Sequence, residues 1–93
     1  MSDLHPALAA FAAQRTSEFT ALVGIEFAAI ERGSCTLRLP ITDKHFNSTH
    51  RVHGGVVFTL LDSAMGAAAF SVLEAHESTA TIECKINYTR AVI

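Results

Sequence analysis

The longest apolar stretch of the chain runs from Val56 to Leu73 and constrains the fold more than any other feature. A helix of this length would extend about 27 Å at about 1.5 Å per residue, close to the ~30 Å of a membrane's hydrocarbon core. However, Asp62 lies near the middle of the stretch, and no basic residue stands directly at either end to anchor a membrane span. The sequence therefore predicts the buried central helix of a globular domain, with no membrane as a partner.

Segments on both sides of this stretch are predicted as strands. Two apolar runs before it, Ile25 to Ile30 and Cys35 to Pro40, are joined by a turn-like segment and together indicate a β-hairpin. After it, Thr79 to Tyr88 alternates between apolar and polar residues, which is typical of a strand with one face on a core. A short helix is predicted from Ser2 to Gln14, and the polar segment from Thr42 to His53 is predicted as a loop.

Length and composition indicate one small domain that needs a partner. The chain has 93 residues and a mass of 10.0 kDa, which is enough for a single domain, 1–93, and too little for two. Hydrophobic residues make up 49% of the chain and charged residues only 17%, against roughly 25% charged in an average soluble domain. Because so small and apolar a chain has little polar surface to cover itself, we expect a homodimer or homotetramer.

Charge and cysteine content exclude other classes of protein. Seven Lys and Arg residues against nine Asp and Glu give a net charge of −2 with no basic run, so no nucleic acid partner is expected. Cys35 and Cys84 lack any metal-binding spacing, and we expect no signal peptide ahead of them. We interpret them as reduced core residues of a cytoplasmic protein.

Asp62 is the first candidate for chemistry. The residues three and four positions away on a helical wheel include no cation, and burial of an unpaired carboxylate costs several kcal/mol. Asp62 is therefore expected either to face a polar cavity or to take up a proton, as catalytic carboxylates often do. The alternative is that it binds a neighbouring backbone amide or lies on a hydrated surface.

The segment His53-Gly54-Gly55 at the start of the apolar stretch is the second candidate. Glycines at a helix start leave the first N–H groups unshielded, and the helix dipole favours negative charge there, so these amides suit an oxyanion. A flexible entry turn is the simpler alternative. Gly54 and Asp62 are separated along the helix axis by about 12 Å at about 1.5 Å per residue. If both act on one carbon, the site must combine Asp62 of one copy with the helix start of another.

The stretch from Asn47 to Ala64 carries an Asn, then His-Gly-Gly, then an Asp on the predicted central helix. In this order and spacing it resembles the hotdog-fold acyl-CoA thioesterases of the phenylacetate-degradation (PaaI-like) type. The resemblance implies an α+β fold in which an antiparallel β-sheet wraps around a long central α-helix. Members of that family continue with further strands. We therefore expect the C-terminal strands to be missing from this sequence, or their cover to come from neighbouring copies.

The same resemblance implies the activity and the roles of the central residues. Acyl-CoA thioesters would be hydrolysed at a subunit interface, with Asp62 as the general base or nucleophile. The amide of Gly54 or Gly55 would polarise the thioester carbonyl, and Asn47 would orient the water or the thioester.

Five further residues are expected to contact the substrate. By resemblance, His53 shapes the turn before the helix, and Thr81 lies near the attacking water. By helical spacing, Phe58 and Met65 are expected to line the acyl side of Asp62 together with Ala69, and the small residues there leave room for an aryl or medium-chain group.

Three histidines of the predicted loop, His45, His50 and His53, lie close together without the spacing of a metal site. We interpret them as part of a polar active-site loop, and expect no metal and no cofactor. Two alternatives to a thioesterase stay open. One is a non-catalytic acyl-CoA-binding module of the same fold; the other is a hotdog enoyl-CoA hydratase, which needs a His and an Asp acting together and is disfavoured by an Asp on the helix.

Overall fold

The computed structural model describes residues 5–13 and 17–93. Within these residues the chain forms three α-helices, one antiparallel pair of strands and one 3-10 turn. In chain order they are α1 (Pro6–Ala12), α2 (Glu18–Val23), β1 (Glu26–Glu31), β2 (Ser34–Arg38), the 3-10 turn (Asp43–His45) and α3 (Gly54–Phe70).

The two short N-terminal helices begin at side-chain caps. The ring of His5 accepts a hydrogen bond from Ala7 N at 3.1 Å, and Pro6 occupies the first turn, where its missing N–H costs nothing. Ser17 caps α2 by accepting from Thr20 N at 3.1 Å. The single helix predicted from Ser2 to Gln14 is thus present as α1, and its predicted ends lie outside the described residues.

The predicted hairpin is confirmed by β1 and β2. The strands pair antiparallel, with Ile30 opposite Cys35, and the turn between them contains Gly33 at φ 82°, a left-handed conformation that favours glycine. A bulge between Phe27 and Ala29 interrupts the register, which increases the local twist of the hairpin.

The core lies where the hairpin and α1 meet α3. Its buried members come from three elements: Leu8 of α1, Ile30 of β1 and Ala67 of α3. Partly buried side chains complete this cluster, namely Phe27, Cys35 and Phe70. Burial raises the pKa of the Cys35 thiol above its ordinary value, and both Cys35 and Cys84 are free thiols.

The long helix α3 spans 17 residues. It begins before Val56 and ends before Leu73, so it lies closer to the N-terminus than the predicted stretch. It ends at Phe70 because the Ser71 hydroxyl bonds to Ala68 O at 2.5 Å and accepts from Gly33 N at 2.7 Å, an alternative to continued helical bonding. The prediction that it is buried all round is wrong for the single chain. Leu61 and Met65 are 44% and 51% exposed, since two strands cover only one side. None of the described helices has the length and apolar character needed to cross a membrane.

The strand predicted from Thr79 to Tyr88 is wrong. This segment has no strand structure, and none of the backbone hydrogen bonds found among the described residues joins it to a neighbour. Burial follows the predicted alternation only in part: Cys84 and Ile86 are half-buried, whereas Ile82 is fully exposed. An alternating sequence becomes a strand only when another strand offers its N–H and C=O groups, and the short hairpin does not extend to this segment.

Candidate active site

The start of α3 is organised by His53. Its ring Nδ1 accepts a hydrogen bond from Gly55 N at 2.8 Å, and its carbonyl accepts from Val56 N at 2.9 Å. The N–H of Gly55 is therefore occupied in capping its own helix. The N–H of Gly54 has no acceptor among residues 5–13 and 17–93, so of the two predicted oxyanion donors Gly54 is the one that stays available.

Tyr88 holds the C-terminal segment against this helix start. Its hydroxyl donates to Gly54 O at 2.8 Å, and its ring atoms lie 3.4 Å from where a side chain at Gly54 would begin. Glycine thus allows the tyrosine ring to approach the backbone closely. Sequence reasoning missed this contact, which joins residues 34 positions apart. The only signal was a tyrosine at the end of the alternating segment.

Asn47 shapes the loop before α3. Its Oδ1 accepts from Thr49 N at 2.9 Å, from the Thr49 hydroxyl at 2.8 Å and from Arg51 N at 3.1 Å. These bonds stabilise a tight turn in which His50 has a positive φ of 62°. Because Oδ1 is occupied within the loop, the amide Nδ2 is the group that Asn47 can offer to a substrate. Asn47 and Gly54 line one open cavity of about 660 Å³.

Asp62 lies half-buried on another side of the helix. Its Oδ1 accepts a hydrogen bond from the Thr81 hydroxyl at 2.9 Å, and the carboxylate forms no ion pair with any described residue. Asp62 lines a separate cavity of about 480 Å³ between α1, α2 and α3, whose apolar walls include Leu8, Phe11 and Phe70. The structure thus brings Asp62 together with Thr81 and does not bring it to Asn47 or Gly54 of the same chain.

Two of the predicted acyl-side residues lie elsewhere on α3. Met65 is half-exposed and borders a smaller cavity of about 210 Å³, together with Thr81. Phe58 is half-buried and lines none of these three cavities. In the single chain, the apolar surface next to Asp62 therefore comes from α1 and the end of α3, which helical spacing within α3 alone did not predict.

His45 is a structural residue. It is 3% exposed; its Nδ1 accepts from Thr42 N at 2.9 Å and its Nε2–H donates to Val23 O at 2.6 Å. This arrangement requires a neutral ring with the proton on Nε2. His45 thus ties the loop to the end of α2, and His53 is used as a helix cap. The described part of the chain contains no group of three His, Cys, Asp or Glu side chains arranged to hold a metal ion.

Comparison with known proteins places the chain in a family. The family model described as "Domain of unknown function (DUF4442)" matches residues 6–92. The chain belongs to this family. Among curated proteins, this DUF4442 chain is 33% identical over 76 residues to "Putative esterase SSO1253" of Saccharolobus solfataricus, with 82% of this chain and 50% of that protein covered. The chain thus spans half the length of this curated relative.

Solved structures share the fold. A conserved protein of Pseudomonas aeruginosa, PA5202, matches with a TM-score of 0.79 and 38% identity over 86% of this chain. A thioesterase family protein of Silicibacter pomeroyi matches with a TM-score of 0.82 and 28% identity over 91% of this chain. The PaaI protein of the E. coli phenylacetic acid degradation operon matches with a TM-score of 0.78 and 23% identity over 97% of this chain. This chain covers 64% of each of those chains. The predicted α+β hotdog fold and the resemblance to PaaI-like thioesterases are confirmed.

Proposed function

We propose that this chain is an acyl-CoA thioesterase, which hydrolyses an acyl-CoA to the free acid and CoA. The observation that carries the proposal is the Asp62 carboxylate, oriented by Thr81 and facing an apolar cavity. Esterase and thioesterase names among similar proteins support the same class of reaction. The free thiols of Cys35 and Cys84 suit the reducing conditions of the cytoplasm, where we place the protein.

In the proposed reaction, Asp62 either removes a proton from water or attacks the thioester carbonyl itself. Addition to the carbonyl carbon produces an oxyanion, which the Gly54 N–H stabilises at the positive end of α3. Collapse of this intermediate breaks the C–S bond, and CoA leaves as the thiolate and takes up a proton. If Asp62 attacks, water then hydrolyses the acyl-aspartate. Asn47 Nδ2 orients the water or the thioester carbonyl.

The site we propose is shared between two copies. Gly54 and Asp62 are separated by about 12 Å along α3 at about 1.5 Å per residue, and they line different cavities. The amide must lie about 3 Å from the oxyanion, and Asp62 about 3 Å from the water or carbon on which it acts, so one chain cannot bring both groups to the same thioester. Two antiparallel copies of α3 in a homodimer, alone or within a homotetramer, would place each Asp62 opposite the partner's helix start.

The acyl group is assigned to the cavity next to Asp62. Leu8, Phe11 and Phe70 give it apolar walls, and its volume of about 480 Å³ lies within the range of small-molecule sites. An aryl or medium-chain acyl group fits these walls. Met65 lies on the adjacent exposed side of α3. In the proposed homodimer, Met65 of the second copy would contact the same acyl group.

The proposal is tested with Asp62→Asn, which removes the charge and keeps the shape. Thiol release from a panel of aryl- and alkyl-CoA thioesters is expected to fall roughly 10²- to 10⁴-fold, the usual contribution of a general base. The control is Asp43→Asn, an exposed carboxylate at the 3-10 turn, which should keep the wild-type rate.

Circular dichroism establishes that both variants are folded. An unchanged rate in folded Asp62→Asn would refute the assignment. Tight acyl-CoA binding without any thiol release by the wild-type protein would instead favour the acyl-CoA-binding module.

A further inference from the structure

Two arginines line the cavity at the start of α3, and they come from two different segments of the chain. Arg51 belongs to the loop before the helix and Arg90 to the C-terminal segment, and both are exposed. Neither pairs with a carboxylate among the described residues, where the one ion pair is Arg38 with Glu26 at 3.4 Å. Unpaired guanidinium groups on the rim of a concave site suit an anionic ligand.

The two segments that carry these arginines are joined by hydrogen bonds. Val52 N donates to Val92 O at 2.9 Å, and the Tyr88 hydroxyl donates to Gly54 O at 2.8 Å. These contacts place the segment carrying Arg90 alongside the loop carrying Arg51. The arginines are thus held at one cavity, which Gly54 also lines.

We propose that Arg51 and Arg90 bind the phosphate groups of the CoA portion of the substrate. CoA carries a diphosphate and a 3′-phosphate, separated from the thioester by the flexible pantetheine arm. Phosphate ligands are therefore needed at the exposed rim of the cavity, away from the reacting carbon. Guanidinium groups bind phosphate oxygens in a bidentate manner, and the cavity volume of about 660 Å³ is that of a small-molecule site.

A thioester on an acyl carrier protein also contains a phosphate, but the structure favours free CoA. The arginines lie at a concave cavity, where a small ligand can be enclosed. The proposal deepens the thioesterase function and rests on it for the reaction, while phosphate binding can be measured without turnover.

The experiment compares Arg51→Gln and Arg90→Gln with Arg38→Gln, an arginine on β2 that lines neither large cavity. Calorimetry measures the dissociation constant of CoA, and thiol release measures kcat/KM for a CoA thioester and for the N-acetylcysteamine thioester of the same acid, which lacks phosphate. Each cavity variant should weaken CoA binding about 10-fold and reduce the preference for the CoA thioester by a similar factor. Arg38→Gln should do neither.

Several outcomes would overturn the proposal. CoA binding that is unchanged in both cavity variants is one, and an equal loss with the N-acetylcysteamine thioester is another, since that substrate has no phosphate. An acyl carrier protein thioester of the same acid is assayed alongside, and a loss confined to that substrate would assign the arginines to a protein partner instead. If the wild-type protein hydrolyses no thioester but binds CoA in an arginine-dependent way, the proposed reaction fails and the phosphate site stands.

Discussion

Gly54 is the residue whose proposed role can be tested with the least disturbance of the fold. It occupies the first position of α3, where proline is tolerated, and His53 before it has φ −59° and ψ 134°, a conformation compatible with a following proline. Gly54→Pro therefore removes the single N–H that we assign to the oxyanion. We expect kcat for thiol release to fall roughly 10²- to 10³-fold, as when an oxyanion donor is lost elsewhere.

The matched control is Gly54→Ala, which adds a side-chain carbon next to the Tyr88 ring and keeps the N–H. A large loss in the proline variant with little loss in the alanine variant identifies the amide as the active group. Equal losses in both would mean that the Tyr88 contact, rather than the N–H, is what Gly54 provides.

Individual residues of this site show what the sequence can and cannot predict. The order of Asn47, His53 and Asp62 was sufficient to name candidates through the resemblance to a family motif, and helical spacing fixed only the separation of the helix start from Asp62. The sequence could not distinguish between the N–H groups of Gly54 and Gly55 as the oxyanion donor. The distinction depends on which of the two donates to the His53 ring, and this is Gly55. Tyr88 was missed because its contact with Gly54 depends on the path of the whole C-terminal segment.

Within α3, Gly66 lowers the stability of an otherwise favourable helix. It lies in the helix interior, and a carbon added there would meet no heavy atom within 4 Å. Gly66→Ala should raise the free energy of unfolding by about 1 kcal/mol, because alanine loses less backbone entropy in a helix. In a domain of this size, that corresponds to a rise in Tm of roughly 4–8 °C, measured by thermal unfolding.

Gly33→Ala is the contrasting substitution. Its surroundings are equally open, but its φ of 82° lies in the left-handed region, where alanine is strained. This variant should lower Tm. A shift of the same sign in both variants would contradict the assignment of the first effect to helix propensity.

Elements differ in how far local sequence determines them. The hairpin was predicted correctly because its two runs are adjacent and its turn contains Gly33, so each strand has a partner nearby. The segment from Thr79 to Tyr88 has an equally regular alternation and forms no strand, because the partner must come from elsewhere in the fold. Periodicity indicates which face an element can bury, and only the tertiary arrangement decides whether it is buried.

At the scale of the molecule, one copy leaves apolar surface uncovered. Leu61 and Met65 on α3 are exposed, as is Leu22 of α2 at 69%. Composition predicted this excess, and part of it lies on α3, where Leu61 and Met65 are exposed on the side that the hairpin does not cover. We propose that a second copy covers this part of α3, the helix that carries both halves of the proposed site, so that loss of assembly would also remove activity.

A shared site predicts that two inactive variants restore one another. Asp62→Asn keeps the helix start, and Gly54→Pro keeps the carboxylate. Random mixing in equal amounts makes about half of the dimers mixed, and a two-fold axis gives each mixed dimer one site with both groups intact and one with neither. Co-expressed chains carrying different affinity tags, isolated by both tags, should thus recover about half of the wild-type thiol release per dimer. Doubly tagged Asp62→Asn alone is the background. Recovery no greater than that background would place both groups in one chain and contradict the shared site.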